Sequence, residues 1–435
     1  MRRVLATLAA VVLAVFASGA SAAPGISTQR VSVSTHGKQS NSYAYEPAIS
    51  DNGRYVAYFS DASNLVPGDT NGWNDVFVYD TVTRSVERAS VTSSGQQVAR
   101  GGNQPSISAD GRYVAYASDD AGLVPGDTNG FSDIFVYDRV TRTTDRVSVS
   151  SGGSEQTGGG AAAAEISADG RYIVYWSAAS DLVPNDTNEN MDVFRFDRLT
   201  RTTTLISMAY DGQPALGMSG YPGGPDVSAN GRFVVFESDA ANLVPDDGNG
   251  PALDVFVRDV VAQQTYLVSR STGGAPGDLD SYWPSISADG RYVAFNSDAT
   301  NLVTGDGNGE WDIFVRDLRD QITTLVSVAS DGTQGNGISY PPDISGDGRY
   351  VAYFSIASNL VAGDGNETWD VFVHDRLAGQ TVRVSMSGAG REANGASQLP
   401  SISYDGRSVV YESDATNLVR PDTNHATDAY LSRWL

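Results

Sequence analysis

Seven short segments rich in aspartate and asparagine contain the residues best suited to chemistry. Each follows the pattern D-x-N-x-x-x-D, and the fourth copy has one extra residue before its last aspartate. Side-chain oxygens at positions one, three and seven of a tight loop can wrap a hard cation, because calcium prefers oxygen ligands. The pattern therefore predicts calcium-binding loops. The predicted ligands are Asp69, Asn71, Asp75, Asp127, Asn129, Asp133, Asp186, Asn188, Asp192, Asp247, Asn249, Asp254, Asp306, Asn308, Asp312, Asp364, Asn366, Asp370, Asp422, Asn424 and Asp428.

The same loops also have an explanation that needs no metal. Aspartate and asparagine favour turns because their side chains bond nearby backbone amides. If calcium does bind, dissociation constants of about 0.1–1 mM are expected, as in other extracellular modules. Calcium should then raise the thermal stability of the protein. Both alternatives remain open from the sequence.

These loops belong to a longer repeat that occupies almost the whole chain. The string I-S-x-[DN]-G-R-[YF] recurs seven times with few changes, at intervals of 58 to 61 residues. Regular repeats are typical of propellers and other arrays, and this spacing leaves no room for a second domain. The repeated glycines are Gly53, Gly111, Gly170, Gly231, Gly290, Gly348 and Gly406.

Each repeat predicts four antiparallel strands. In the second repeat they are 105–108, 112–118, 133–138 and 146–150, and the Asp-Gly pair before the second strand is typical of a tight hairpin. The second and third strands are apolar on both faces, which indicates that neighbouring sheets cover both sides. The sequence therefore predicts an all-β fold: a seven-bladed β-propeller of four-stranded antiparallel blades, formed by residues 23–435.

The two ends of the chain predict how the ring closes. The seventh repeat ends without a fourth strand, whereas residues 29–34 precede the first repeat and match the outer-strand pattern of residues 145–150. We therefore expect the N-terminal strand to complete the last blade, which removes exposed sheet edges. Deletion of residues 28–34 should unfold or aggregate the protein.

The repeats resemble the TolB-like, WD40-like propellers with PD40 repeats. Residues 107–113, Ile-Ser-Ala-Asp-Gly-Arg-Tyr, and their six counterparts provide the resemblance, which covers residues 28–435. It implies a propeller used as a binding platform or as an accessory to an enzyme domain. The acidic loop is also similar to the end of the calcium loops of integrin-type propellers, but Pro67 stands where those loops have their first acid.

A four-stranded meander places the acidic loops and the blade-to-blade connections on one face, where variable loops favour binding. Tyr221, Tyr282, Trp283 and Tyr340 are candidate ligand contacts there, although such aromatic side chains can simply pack long loops in place. On the inner strands, three acids precede the repeated Ile or Val near the predicted channel mouth and could bind an ion or act as acid and base. They are Glu165, Asp226 and Asp343, and they can equally be solvated carboxylates.

The inventory of residues favours binding over catalysis. The three histidines, His36, His374 and His425, are scattered over different repeats; there is no cysteine and no G-x-S-x-G motif. The formal net charge of −23 disfavours nucleic acid. We therefore expect a monomeric, non-catalytic binding or scaffold propeller for a protein or carbohydrate ligand, with calcium as its cofactor. The alternative is a carbohydrate-active enzyme of glycosidase or lyase type that uses carboxylates near the channel.

The N-terminus predicts export. Met1, Arg2 and Arg3 are followed by an apolar run over residues 4–16, and Ala20 and Ala22 match the A-x-A cleavage rule. Residues 1–22 are therefore predicted to be a signal peptide, and the mature protein to be secreted or periplasmic. No later segment has the length and hydrophobicity of a membrane span.

Overall fold

Four short runs of β-branched and aromatic residues in each repeat form four strands. The computed structural model describes residues 25–245 and 247–434, and in that part of the chain 28 strands form seven four-stranded antiparallel sheets without a helix. The innermost strands contact one another in a ring around a central channel. The predicted seven-bladed β-propeller is confirmed.

The innermost strands line the channel, and the second strands pair with them. The innermost strands are β2 (Ala44–Ile49), β6 (Asn103–Ile107), β10 (Ala161–Ile166), β14 (Asp226–Val227), β18 (Ser281–Ile286), β22 (Ser339–Ile344) and β26 (Ser397–Ile402). The second strands are β3 (Tyr55–Ser60), β7 (Tyr113–Ser118), β11 (Tyr172–Ser177), β15 (Phe233–Ser238), β19 (Tyr292–Ser297), β23 (Tyr350–Ser355) and β27 (Ser408–Ser413).

The third strands are the most buried, and the outer strands form the rim. The third strands are β4 (Asp75–Asp80), β8 (Asp133–Asp138), β12 (Asp192–Asp197), β16 (Asp254–Asp259), β20 (Asp312–Asp317), β24 (Asp370–Asp375) and β28 (Asp428–Trp434). The outer strands are β5 (Val86–Arg88), β9 (Thr143–Arg146), β13 (Thr202–Leu205), β17 (Gln264–Leu267), β21 (Ile322–Leu325), β25 (Gln380–Arg383) and, for the last blade, β1 (Ile26–Arg30).

The core lies between neighbouring blades, because the middle strands are apolar on both faces. In the first blade, Tyr58 of β3 and Phe77 of β4 have no exposed surface, and their ring centroids are 5.9 Å apart. An equivalent aromatic pair occurs in each of the other six described blades. Burial of each such ring stabilises the fold by about 2–3 kcal/mol.

The N-terminal strand closes the ring as predicted, but at other residues. β1 pairs antiparallel with β28, from Ile26 opposite Trp434 to Arg30 opposite Tyr430. The predicted strand at 29–34 therefore starts three residues too late. Thr28 strengthens the pairing, since its hydroxyl lies 2.9 Å from that of Ser432.

The outer strands of the other blades also end earlier than predicted. In the second blade β9 ends at Arg146, whereas the alternating residues Val147, Ser148 and Val149 lie beyond it and are buried. Their alternation reflects a buried segment that leaves the sheet towards the next blade. By contrast, the predicted third strand at 133–138 agrees with β8.

The predicted signal peptide, residues 1–22, lies outside the described residues. Within the described chain, no helix is long and apolar enough to cross a membrane.

Candidate functional site

The last aspartate of each acidic loop is the first residue of a third strand and is buried. Asp75, for example, begins β4 with no exposed surface, and its Oδ1 accepts a hydrogen bond from the Ser90 hydroxyl at 2.6 Å. A serine two residues after the outer strand makes the same bond in all seven described loops. Oδ1 of this aspartate is therefore engaged by the fold, whereas Oδ2 is left for other contacts.

The asparagine at position three braces the loop. Asn71 Oδ1 accepts the Trp73 N–H at 3.1 Å, and its Nδ2 donates to the carbonyl of Val98 in the blade-to-blade connection at 3.1 Å. Six of the seven described loops make both bonds, and Asn249 is the exception. Acidic loops and blade-to-blade connections therefore meet on one face, as predicted; we call it the loop face.

In four of the described loops, an arginine from the end of the outer strand bridges the two aspartates. In the first blade, Arg88 lies 3.4 Å from Asp69 and 3.5 Å from Asp75. Arg30, Arg146 and Arg383 make the same bridge in the seventh, second and sixth blades. A second side chain joins in, from the blade-to-blade connection: Gln97 Nε2 donates to both aspartates of the first loop, at 2.9 and 3.2 Å.

In the sixth loop, the arginine lies between carboxylates that could otherwise bind a metal ion. Ligand atoms of Asp364, Asp370 and Glu392 lie within 4.8 Å of one another, as a metal site requires. Arg383 contacts all three carboxylates, so a guanidinium already lies where a cation would bind. The same residues that could hold a cation hold an organic one instead.

The third, fourth and fifth loops lack the arginine, because leucine takes its register position opposite the third strand. In the third and fourth loops the position equivalent to Gln97 is occupied by proline, Pro214 and Pro276 respectively. Several buried oxygens there have no hydrogen-bond partner among residues 25–245 and 247–434. They are both oxygens of Asp186, Oδ2 of Asp192, Oδ1 of Asp247, Oδ1 of Asn249 and Oδ2 of Asp254.

The electrostatics of these loops follow from burial. Burial raises the pKa of Asp192 and of Asp254 to about 7, against the smaller opposing effects of the Ser207 and Ser269 hydrogen bonds. Burial also raises the pKa of Asp75, but there the Arg88 charge opposes it. The carboxylates of the third and fourth loops are thus the ones that most need a cation or a proton.

The acids of the channel wall bond to neighbouring blades. Asp226 Oδ2 accepts the Ile286 N–H at 2.8 Å, and Asp343 Oδ2 accepts the Ile402 N–H at 2.8 Å. Ser106, Ser285 and Ser401 accept the corresponding N–H groups of other blades. This position therefore joins adjacent inner strands, whose edge N–H groups would otherwise lack partners.

Glu165 occupies the same position in the third blade and accepts a hydrogen bond from the Ser106 hydroxyl. Burial raises the pKa of Glu165, and the nearby Asp226 charge raises it further. Burial likewise raises the pKa of Asp343, to about 6. The predicted cluster of Glu165, Asp226 and Asp343 does line one cavity, which has a volume of about 490 Å³.

A β-bulge in the inner strands turns a variable side chain towards the channel. In the fifth blade the register shifts between Tyr282 and Ser285, and Trp283 adopts the left-handed region at φ 46°. Non-glycine residues in this region are strained, and such strain often accompanies function. The residues at this position all line the channel: Glu46, Gln104, Ala163, Gly224, Trp283, Pro341 and Leu399.

Buried acids hold two of these bulges. Glu237 accepts the Trp283 N–H at 2.9 Å, and Glu412 accepts the Glu46 N–H at 2.9 Å. Burial raises the pKa of both acids to about 7. Asn296 occupies in the fifth blade the position that Glu237 and Glu412 have in theirs, and neither of its amide atoms has a partner in the described chain. The next bulge residue is Pro341, which has no N–H to donate.

Aromatic side chains of the fifth and sixth blades form one cluster on the loop face. Tyr282 and Trp311 have ring centroids 5.1 Å apart, Trp283 lies edge-on to Tyr340 at 5.6 Å, and Tyr340 lies 5.7 Å from Trp369. All five rings are partly exposed, and we call them the aromatic cluster. Phe354 supports it from below, 5.1 Å from Trp369 and almost completely buried.

The structure brings together three of the four predicted aromatic contacts. Tyr282, Trp283 and Tyr340 belong to the aromatic cluster, whereas Tyr221 packs edge-on against Trp176, 6.0 Å away. The roles of Glu237 and Glu412 were not predicted from the sequence. Neither was the bulge position, although the variable residue before a repeated proline could have indicated it.

The sequence matches no protein-family model and no curated protein. The structure is similar to that of oligogalacturonate lyase from Vibrio parahaemolyticus, with a TM-score of 0.56, 12% identity and 93% of each chain covered. It is also similar to the β-propeller domain of the Trilobed protease from Pyrococcus furiosus, with a TM-score of 0.52 and 11% identity over 90% of this chain and 97% of that one. That domain has an open velcro topology, whereas β1 closes the ring here.

TolB proteins are also among the similar structures. TolB from Acinetobacter baumannii has a TM-score of 0.43 and 15% identity over 77% of this chain, which covers 64% of that protein. At such low identities, all these likenesses show the fold alone. The protein thus has the β-propeller fold found in a lyase and in a protease.

Proposed function

We propose that the protein is an exported carbohydrate-binding propeller whose ligand lies on the aromatic cluster. The observation that supports this most directly is the continuity of five partly exposed rings from two adjacent blades, with neighbouring centroids 5.1–6.2 Å apart. Export is part of the proposal and rests on the sequence of residues 1–22.

A sugar suits this surface because its rings have apolar faces and polar edges. The apolar face can stack on Trp283 or Trp311, and polar groups lie close by. The Tyr282 hydroxyl donates to Asp280 at 3.0 Å, which fixes one polar group at the margin of the cluster. A ligand with hydroxyl groups around an apolar face can use both kinds of contact.

The cluster is also held rigidly, which favours binding. Tyr282 and Tyr340 belong to inner strands, and Trp311 and Trp369 directly precede β20 and β24. Rings fixed by strands lose little conformational entropy when a ligand binds.

Glycan binding by wild-type protein and by Trp283→Ala tests this proposal. We expect the glycans that bind the wild-type protein to bind the variant at least about tenfold more weakly, because truncation of an aromatic anchor costs about 1–2 kcal/mol or more. Trp73→Ala is the matched control. Trp73 is exposed on the first acidic loop, outside the cluster, so its variant should bind normally. Absence of glycan binding, or equal losses in both variants, would contradict the proposal.

The channel acids favour one alternative, an enzyme that cleaves carbohydrates. Glu165 and Asp226 are buried together with raised pKa values, as expected of an acid that keeps its proton near neutral pH. The fold is also that of oligogalacturonate lyase. Release of new reducing ends or unsaturated products, lost in Glu165→Gln, would support this alternative. Binding without turnover supports the binding module.

A further inference from the structure

Each acidic loop places two aspartates side by side in a buried position. Two like charges taken out of water are unfavourable unless another group compensates them. In the first blade Arg88 and Gln97 do so, and both contact Asp69 and Asp75. Four of the described loops use an arginine in this way.

In the third loop both compensating side chains are missing. Leu205 stands at the position of the arginine, and Pro214 at that of the glutamine. Asp186 and Asp192 are 7% and 0% exposed. Both oxygens of Asp186 and Oδ2 of Asp192 lack a hydrogen-bond partner within the described chain. In the loop of the first blade, these are the oxygens that the arginine and the glutamine contact.

The fourth loop repeats this pair of changes independently. Leu267 and Pro276 replace the arginine and the glutamine. Asp254 is completely buried, and its Oδ2 has no partner among the described residues, nor do Asp247 Oδ1 and the Asn249 amide. Because Asn249 does not brace this loop, its oxygen is available together with those of the two aspartates.

The fifth loop separates the two changes. Leu325 replaces the arginine, but Gln334 is kept and donates to Asp306 at 2.8 Å and to Asp312 at 2.7 Å. Within the described D-x-N-x-x-x-D segments, the repeated aspartate and asparagine oxygens therefore lack partners only where the arginine and the Gln or Glu side chain are both lost.

We propose that the third and fourth loops each bind one divalent cation, and that side chains take the place of this cation in the other five loops. Each of the two loops offers three free side-chain oxygens, and water completes the coordination. Calcium is the expected ion because it accepts six to eight oxygen ligands in flexible geometry, and the ligands on offer are aspartate and asparagine oxygens. Weak sites, with dissociation constants of about 0.1–1 mM, are expected of such partly hydrated positions.

Equilibrium dialysis of the chelator-treated protein against calcium measures the number of sites. We expect two calcium ions per chain at saturation. Leu205→Arg and Leu267→Arg each install the guanidinium found in four other blades, and each variant should bind one ion. The double variant should bind none, and its melting temperature should no longer rise with calcium.

Two further sets of variants control for misfolding. Asp186→Asn and Asp247→Asn remove one charge each without adding bulk and should likewise abolish one site each. In the first blade, Arg88→Leu combined with Gln97→Pro reproduces the third loop and should add a third site. A wild-type protein that binds no calcium at 10-fold above the expected dissociation constant, or a double arginine variant that still binds two ions, would overturn the proposal.

Discussion

Gly111 shows why the repeat motif varies so little. It lies in the left-handed region at φ 74°, and a Cβ there would come 2.0 Å from the Tyr55 ring of the preceding blade. The neighbouring residues also make contacts within the fold. Asp110 accepts a hydrogen bond from the Ser108 hydroxyl, and Arg112 forms an ion pair with Asp138 at 2.7 Å. The motif therefore packs against the preceding blade and stabilises its own blade, and no ligand is needed to explain it.

Replacement of this glycine gives a prediction with a matched control. Gly53 has a similar φ of 67°, but Ser408 lies beneath it instead of a ring, and a Cβ would lie 3.1 Å from its hydroxyl. Gly53→Ala should cost about 1 kcal/mol for the left-handed backbone. Gly111→Ala should cost about 1–3 kcal/mol more, because its methyl group overpacks against Tyr55. Chemical denaturation measures both losses; equal values would contradict the aromatic contact.

His374 gives a prediction about pH. Its Nδ1 lies 2.9 Å from the Thr381 hydroxyl, and burial lowers its pKa to about 4, while Asp375 raises it and Arg376 lowers it by smaller amounts. The folded protein therefore takes up this proton less readily than the unfolded chain. Stability from this group is complete above pH 6.5 and falls as the pH drops towards 4, by about 3 kcal/mol in total.

Phenylalanine at this position provides the comparison, since Phe196 occupies it in β12. Urea denaturation of wild-type and His374→Phe protein between pH 7 and pH 4 should show a smaller loss of stability for the variant, by about 3 kcal/mol at pH 4. Parallel curves for the two proteins would show that His374 is not buried as the neutral form.

At the scale of the element, the sequence predicted the middle strands well and the outer and inner strands less well. The third strand at 133–138 is apolar on both faces, and no other element fits such a run. The outer strand was predicted too far along the chain, because Val147 and Val149 alternate with serines beyond the end of β9. That alternation comes from burial beneath the loop face, which no local pattern distinguishes from strand pairing.

The inner strands contain the features that were not predicted from the sequence. A residue before proline favours extended backbone, so this rule alone would place Trp283 and Leu399 in the extended region. Both adopt positive φ instead, because the pairing with the second strand shifts register there. At Trp283 the buried Glu237 of the preceding blade also accepts the N–H. The candidate site depends on these contacts between blades, and only the aromatic and acidic residue types were predictable.

Across the whole molecule, the seven blades share one fold but differ on the loop face. The third and fourth blades have buried carboxylates without partners, and the fifth and sixth provide the aromatic cluster. The seventh and first are joined by β1. The third and fourth blades thus differ from the repeat in their carboxylates, and the fifth and sixth differ in their aromatic rings. The proposed cation and ligand sites can therefore be tested separately.

Closure of the ring is a property of the whole molecule, and β1 lets it be tested. A chain that begins at Gly25 keeps this strand, whereas a chain that begins at Val31 loses its pairing with β28. The shorter chain also loses Arg30, whose Nε lies 3.0 Å from the buried Asp428 and whose Nη2 lies 3.5 Å from Asp422.

We expect the chain that begins at Val31 to unfold or aggregate, because breaking the buried ion pair alone costs about 3–5 kcal/mol. The exposed edge of β28 would also be free to pair with another chain. Thermal melting and size-exclusion chromatography of the two chains measure both effects. If the chain lacking β1 stays monomeric and melts at the same temperature as the longer one, the ring is held by contacts between blades without this strand.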